Sequence, residues 1–168
     1  EIEFALARKE IAGKIVNLIE SGKMPLKVTH NDTKLNNVLL HQDTLKGLAV
    51  IDLDTVMPGS VCYDFGDSIR FGCNSSYEDE EDLSKVYFKM DMFEAYVKGY
   101  LSKMDNITEV EKEHLVDGAI LMTFECGIRF LSDFLDGDTY FKTTKPNHNL
   151  FRCRTQFKLV ADMEMMIN

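Results

Sequence analysis

The chain has 168 residues, the length of one domain, with 45% hydrophobic and 28% charged residues and a formal net charge of -9. That balance allows a buried core and excludes a general positive field for a nucleic-acid backbone, so no nucleic-acid partner is expected. No stretch approaches the roughly 18 uninterrupted apolar residues of a membrane span, and no secretory pattern opens the chain. A cytoplasmic protein with no membrane partner is the expectation.

The apolar residues Phe4, Leu6, Ile11, Ile15, Leu18 and Ile19 recur at helical period and predict one helix over 3–21, ended by Gly22 and Pro25. Lys27-Val28-Thr29 is an extended lead-in to a loop at His30. Val38-Leu39-Leu40 and Leu48-Ala49-Val50-Ile51 read as two strands, and the polar, Gly-ended connection over 41–47 makes them a hairpin. Pro58-Gly59-Ser60 reads as a turn, and 63–71 as a short helix. The acidic run Glu78-Asp79-Glu80-Glu81-Asp82 reads as the solvated entry of a long amphipathic helix marked by Leu83, Val86, Met90, Phe93, Val97, Tyr100 and Leu101. Thr108 with Glu111 is a capping box. It opens a helix to about residue 135, apolar on most faces from 119 on and therefore central and buried. Asp136-Gly137-Asp138 turns the chain into a last helix over 149–166. The predicted fold class is α+β, mostly helical: a single domain over 1–168 with a small β-hairpin at its active edge. The four cysteines, Cys62, Cys73, Cys126 and Cys153, lack C-x-x-C spacing and read as buried or semi-buried, reduced thiols. His41, His114 and His148 have no ligand spacing.

The chemistry is concentrated in His30-Asn31-Asp32-Thr33-Lys34-Leu35-Asn36-Asn37 and in Ile51-Asp52-Leu53-Asp54. An Asp, an Asn five residues on, and a second Asp closing the next strand form a kinase-type arrangement. Phosphoryl transfer needs in-line positioning and charge neutralisation rather than a covalent step. Asp32 is the candidate base that orients the acceptor hydroxyl and takes its proton. Asn37 and Asp52 are candidate magnesium ligands, since an amide and a carboxylate supply hard oxygens and leave positions for phosphate and water. Antiparallel pairing brings Asn37, at the start of one strand, to Asp52 at the end of its neighbour. His30 reads as a hydrogen-bonding residue that shapes the loop, Lys34 as facing either the transferred phosphate or solvent, and Asp54 as an auxiliary ligand. Asp64-Phe65-Gly66 spells the magnesium motif of protein kinases, but it follows Asn37 by 27 residues, whereas Asp52 follows it by 15. Asp64 is therefore assigned a structural, helix-capping role, and Asp67 with Arg70 an ion pair three residues apart.

At these residues the chain resembles the aminoglycoside phosphotransferase family, small-molecule kinases of the protein-kinase-like fold. Within it the wording is closest to the N-acetylhexosamine 1-kinases. His30-Asn31-Asp32-Thr33-Lys34, the run from Ile51 to Gly59, Tyr63-Asp64-Phe65-Gly66-Asp67-Ser68-Ile69-Arg70, Gly127-Ile128-Arg129-Phe130-Leu131 and the run from Asp136 to Lys142 all carry the resemblance. It implies transfer of the γ-phosphate of ATP, with Mg2+, to a sugar hydroxyl, the anomeric hydroxyl of an N-acetylhexosamine. It also implies a sugar pocket lined by Arg129 and Tyr140, with Asp67 and Arg70 either further pocket residues or the helix ion pair. Other acceptors of the same fold are choline or ethanolamine, homoserine and aminoglycosides; a non-catalytic sugar-binding lobe is the reading from another class. Such kinases clamp ATP with a preceding sheet-rich lobe bearing a glycine-rich loop and an anchoring Lys, and this sequence shows neither. The expectation is a C-terminal, acceptor-binding lobe that has no turnover alone and self-associates through an uncovered lobe interface.

Overall fold

The computed structural model describes residues 1–167. In chain order these form helices α1 (Ile2–Leu6) and α2 (Ile11–Glu20), strands β1 (Lys27–Thr29), β2 (Val38–Leu40), β3 (Gly47–Val50) and β4 (Met57–Gly59), then helices α3 (Val61–Gly72), α4 (Met90–Leu101), α5 (Glu109–Glu113), α6 (Leu115–Leu135) and α7 (His148–Met166). The class is α+β and mostly helical, as the periodicity predicts. The core is the long helix α6 laid between α3 and α7. Phe65 and Ile69 of α3, Ala119 and Phe124 of α6, and Cys153, Leu159 and Val160 of α7 are all but inaccessible. Phe4 and Phe124 both stack on Phe157, at centroid distances of 4.6 and 5.9 Å.

Helix α6 comes so close to α3 that their backbones touch. A Cβ on Gly66 would fall on the Gly118 carbonyl, and one on Gly118 would fall on the Cys62 carbonyl. The buried Cys62, Cys73 and Cys153 fill the same interior, and burial pushes each thiol up, to about 11, 11 and 12.

Four expected elements take a different form. The helix expected over 3–21 is two helices, because Arg8 ends the first: its guanidinium bonds the Phe4 carbonyl at 3.2 Å and forks onto Glu164 of α7 at 2.8 and 2.9 Å. Pro58-Gly59 is not a turn but strand β4, paired antiparallel with β1 in the register Lys27↔Gly59 and Thr29↔Met57. Pro58 is tolerated there because a two-stranded ribbon leaves one edge of each strand unpaired. The long helix expected from Leu83 starts only at Met90. Phe88 first makes a bridge with Asn74, and its N–H donates to the buried Asp162 of α7 at 3.1 Å.

The acidic run enters only a 3₁₀ turn, Leu83–Lys85, which Asp82 caps by accepting the Ser84 N–H at 3.1 Å, and the rest of the run ties the segment down. Glu78 takes Arg70 at 3.0 Å, Asp79 takes Lys145 at 3.2 Å and His148 at 3.1 Å, and Glu81 takes Lys145 at 3.0 Å. The Thr108–Glu111 capping box forms with both reciprocal bonds. The helix it opens is interrupted at His114, whose ring bonds the Val110 carbonyl at 2.8 Å, before α6 continues to Leu135. No helix among the described residues is long and apolar enough to cross a membrane.

Candidate active site

The loop from His30 to Lys34 leaves β1 through Asn31, which sits in the left-handed region at φ 63°. That conformation suits Asn, whose side chain can bond locally. Here Nδ2 donates to the Thr55 carbonyl at 3.0 Å, and Oδ1 accepts from the Thr29 hydroxyl at 2.9 Å. The loop is then clamped from α3. Asp64 accepts the backbone N–H of His30 and of Asn31, each at 2.8 Å. Thr33 donates its hydroxyl to the Asp64 carbonyl at 2.5 Å, and Ser68 donates to the Thr33 carbonyl at 3.1 Å. Asp64 thus holds backbone N–H groups of the preceding loop rather than those of its own helix, whose N-cap is Ser60. Charge-assisted bonds of this kind are roughly twice as strong as neutral ones, which makes this loop rigid where rigidity positions Asp32.

His30 completes the frame. Its Nδ1 accepts the Asp32 N–H at 3.3 Å, so the ring proton sits on Nε2 and is donated to the Ile51 carbonyl at 2.9 Å. One imidazole therefore ties the loop to the end of β3, just before Asp52.

Asp32 lies at the mouth of this frame with its side chain 28% exposed. Lys34 Nζ donates to its Oδ2 at 2.7 Å, and Asn37 donates Nδ2 to the same oxygen at 2.9 Å and to the Asp32 carbonyl at 2.8 Å. Partial burial works against the charged form, but the bonds from Lys34 and Asn37 outweigh it and hold the carboxyl below its ordinary range.

Asn37, nearly buried, leads into β2, where Val38 pairs with Val50 of β3. Its own carbonyl accepts the Ile51 N–H at 2.9 Å, so the pairing runs on to the residue before Asp52. Asp52 adopts the left-handed conformation at φ 63° and ψ 55°, and with it the strand ends in a short 3₁₀ turn, Leu53–Thr55. That turn brings Asp54 back against Asp52. Hydrogen bonding with Asp54 and then its negative charge raise the Asp52 carboxyl above its ordinary range, and the charge of Asp32 adds to the effect. Asp32, Asn37, Asp52 and Asp54, spread over 23 positions of sequence, thus meet at one edge of the hairpin.

Arg129 lies on α6 and Tyr140 on the loop that follows it. The Arg129 guanidinium stands 5.4 Å from the centre of the Phe141 ring, and Nε is 3.7 Å from Glu125. Tyr140 packs edge-on against the same ring at 4.8 Å and is 75% exposed. The two share a surface depression of about 430 Å³. Arg129 also borders a cavity of about 540 Å³ lined by Asn31, Tyr63, Asp67, Phe124 and Glu125, which reaches the residue beside Asp32. Arg129 is therefore joined to the loop through a continuous cavity wall, whereas Tyr140 stands outside it.

Sequence reasoning missed Asp133. This buried carboxylate accepts three backbone N–H groups, of Thr139 at 2.9 Å, Tyr140 at 2.7 Å and Phe141 at 2.9 Å, and the Asn149 amide at 2.8 Å. It folds the loop that carries Tyr140. The available signal was Gly137, which stands at φ 88° and marks a sharp helix end, but no spacing rule connects that turn to Asp133.

Asp32 is thus bonded to the Asn five residues on, and Asp52 follows the strand that pairs with the one Asn37 enters. The family model described as "APH: Phosphotransferase enzyme family" matches residues 5–104, which include the loop, the hairpin and α3. The chain belongs to this phosphotransferase family, whose chemistry is ATP-dependent phosphoryl transfer to small molecules, usually with Mg2+.

Proposed function

We propose that the chain is the acceptor-binding lobe of a small-molecule kinase that transfers the γ-phosphate of ATP to a sugar hydroxyl, the anomeric hydroxyl of an N-acetylhexosamine. The observation that carries the reading is the bonded pair Asp32–Asn37 with Asp52 at the adjoining end of the hairpin. Asp32, kept in its base form by Lys34, orients the attacking hydroxyl and takes its proton as the bond to phosphorus forms. Lys34 sits where it can turn from Asp32 toward the transferred phosphate.

Mg2+ would neutralise charge on the phosphates. The donor set fits it. Asn37 commits its NH2 to Asp32, which leaves its Oδ1 for a cation, and Asp52 and Asp54 crowd each other in a way that a cation would relieve. Among the described residues no three His, Cys, Asp or Glu side chains form a metal-holding group. A cation here would therefore draw most of its ligands from phosphate and water. Because Asp52 is raised by Asp54, its anion is lost sooner than an ordinary carboxylate as pH falls. Asp54→Asn should shift the acid limb of the pH–rate profile to lower pH at fixed Mg2+. An acid limb that stays in place would remove Asp52 from the metal site.

The cavity supports a neutral polyol over a cationic acceptor. Its two carboxylates, Asp67 and Glu125, each face an arginine, Arg70 at 2.9 Å and Arg129 at 3.7 Å, so neither is left unpaired. A quaternary ammonium would instead favour unpaired acid with aromatic walls.

The hairpin exposes Leu39, Leu40, Leu48, Val50 and Ile51, and β1 exposes Val28. These exposed apolar side chains support the proposal of a nucleotide-binding lobe seated over them, with self-association of the 168-residue chain when they are bare. The test of function is ADP release by the full-length protein with N-acetylglucosamine, N-acetylgalactosamine, choline, homoserine and an aminoglycoside. ADP release with the two N-acetylhexosamines, together with loss of the reducing end, is expected. Turnover confined to any of the other acceptors overturns the sugar assignment.

A further inference from the structure

Asp67 lies on α3, one turn beyond the clamp residue Asp64. It is 7% exposed, and its side chain is nine-tenths buried. Its Oδ1 is committed to Arg70, which reaches it through Nε and Nη2, both at 2.9 Å. The other end of Arg70 is locked by Glu78 at 3.0 Å, so the guanidinium has no freedom to serve both oxygens. Oδ2 of Asp67 has no hydrogen-bond partner among the described residues. A buried carboxylate oxygen left without a donor is expensive, and native proteins satisfy such atoms with protein, water or ligand.

No protein donor takes that role. Asn31, the neighbour of Asp32 and part of the same cavity wall, has its NH2 bound to the Thr55 carbonyl. Tyr63 and Arg129 also border the cavity and carry donors, but neither bonds Oδ2, and Leu121, Phe124 and Ile128 carry none.

We infer that Asp67 is a specificity-determining residue: its Oδ2 accepts a hydrogen bond from a hydroxyl or amide N–H of the acceptor held in this cavity, and the Arg70–Glu78 pair presents it for that purpose. The inference rests on the phosphotransferase reading above and adds the feature by which the acceptor is chosen. Asp67 is already ion-paired with Arg70, so the site offers a fixed acceptor oxygen rather than an unpaired charge for a cation. A polyol or N-acylated sugar supplies a donor to it, and a quaternary ammonium group has none to give. An acceptor lacking it leaves Oδ2 unpaired, a penalty that buried polar sites convert into strong rejection.

The experiment uses the full-length enzyme, wild type and Asp67→Asn. Acceptor KM, ATP KM and kcat are measured for N-acetylglucosamine and for analogues that each lack one ring hydroxyl or the N-acetyl group. In the wild type, one analogue is expected to lower kcat/KM about 10- to 100-fold relative to the parent sugar. D67N should lose about the same factor with the parent sugar, keep its ATP KM, and discriminate little further against that analogue. A flat analogue series in the wild type overturns the inference by itself, and needs no variant that might fold poorly. Overturning it equally would be a folded D67N, by thermal melt, with unchanged acceptor KM or with acceptor and ATP KM raised alike. A wild-type enzyme that phosphorylates none of the sugars overturns the functional reading and this inference together. An active wild type with a flat series sinks only the inference.

Discussion

Asparagine in place of Asp32 should lower kcat by about 10²- to 10⁴-fold while moving KM for either substrate only slightly. The amide has the shape of the carboxylate and can still accept from Asn37 and Lys34, so the bonds that set the loop survive. What is lost is the ability to take a proton from the attacking hydroxyl. The loop does not depend on the Asp32 charge for its form. His30, Asn31 and Thr33 are held from α3 by Asp64 and Ser68, and from the hairpin side by the Ile51 and Thr55 carbonyls. The thermal midpoint of D32N should therefore stay close to that of the wild type. The measurement is steady-state ADP release by the full-length protein with saturating acceptor. A variant retaining more than about a tenth of wild-type kcat would show that the hydroxyl loses its proton to another group.

The largest effect on stability is expected at the α3–α6 crossing. Gly66→Ala or Gly118→Ala places a methyl group against a backbone carbonyl of the other helix, and neither backbone can swing aside as a flexible side chain would. The helices must separate, and α6 is the element on which both α3 and α7 pack. Overpacking of a core costs about 1–3 kcal/mol and more where rigid groups collide. The expected loss is about 3 kcal/mol, a fall of roughly 6–12 °C in Tm for a domain of this size. Gly99 of α4 is the matched control. It lies inside a helix with nothing within 4 Å of an added Cβ, so Gly99→Ala should stabilise by roughly 0.5–1 kcal/mol through helix propensity. Differential scanning calorimetry of the three variants checks both signs. A Gly118→Ala protein that melts with the wild type would mean that the two helices are not in backbone contact.

Much of the site was legible because its parts are close in sequence. The spacing from Asp32 to Asn37 fits within one loop, and the polar connection after Leu40 specifies a hairpin, so Asn37 and the residue before Asp52 meet by strand pairing alone. The Asp67–Arg70 pair and the Thr108–Glu111 capping box were readable for the same reason: both are contacts three residues apart on or at a helix. The corrections fall where the partner is far away. Asp64 was read against its own helix, since a sequence shows an Asp near a helix start but not a loop 33 residues earlier whose N–H groups it receives. The acidic run looks solvated in the sequence because its partners, Lys145 and His148, lie on the other side of α6 in sequence.

The amino-acid sequence by itself determined the loop from His30 to Lys34, the hairpin and the burial of α6, because backbone hydrogen-bond spacing and helical periodicity are local properties. Periodicity states that a face is buried and is silent about what covers it. Only the tertiary structure decided that α3 and α6 touch at Gly66 and Gly118, that Asp133 folds the Tyr140 loop, and that Asp67 keeps one buried oxygen without a donor. Each of those depends on shape and distance between segments far apart in the chain, and that information exists only once the segments are packed.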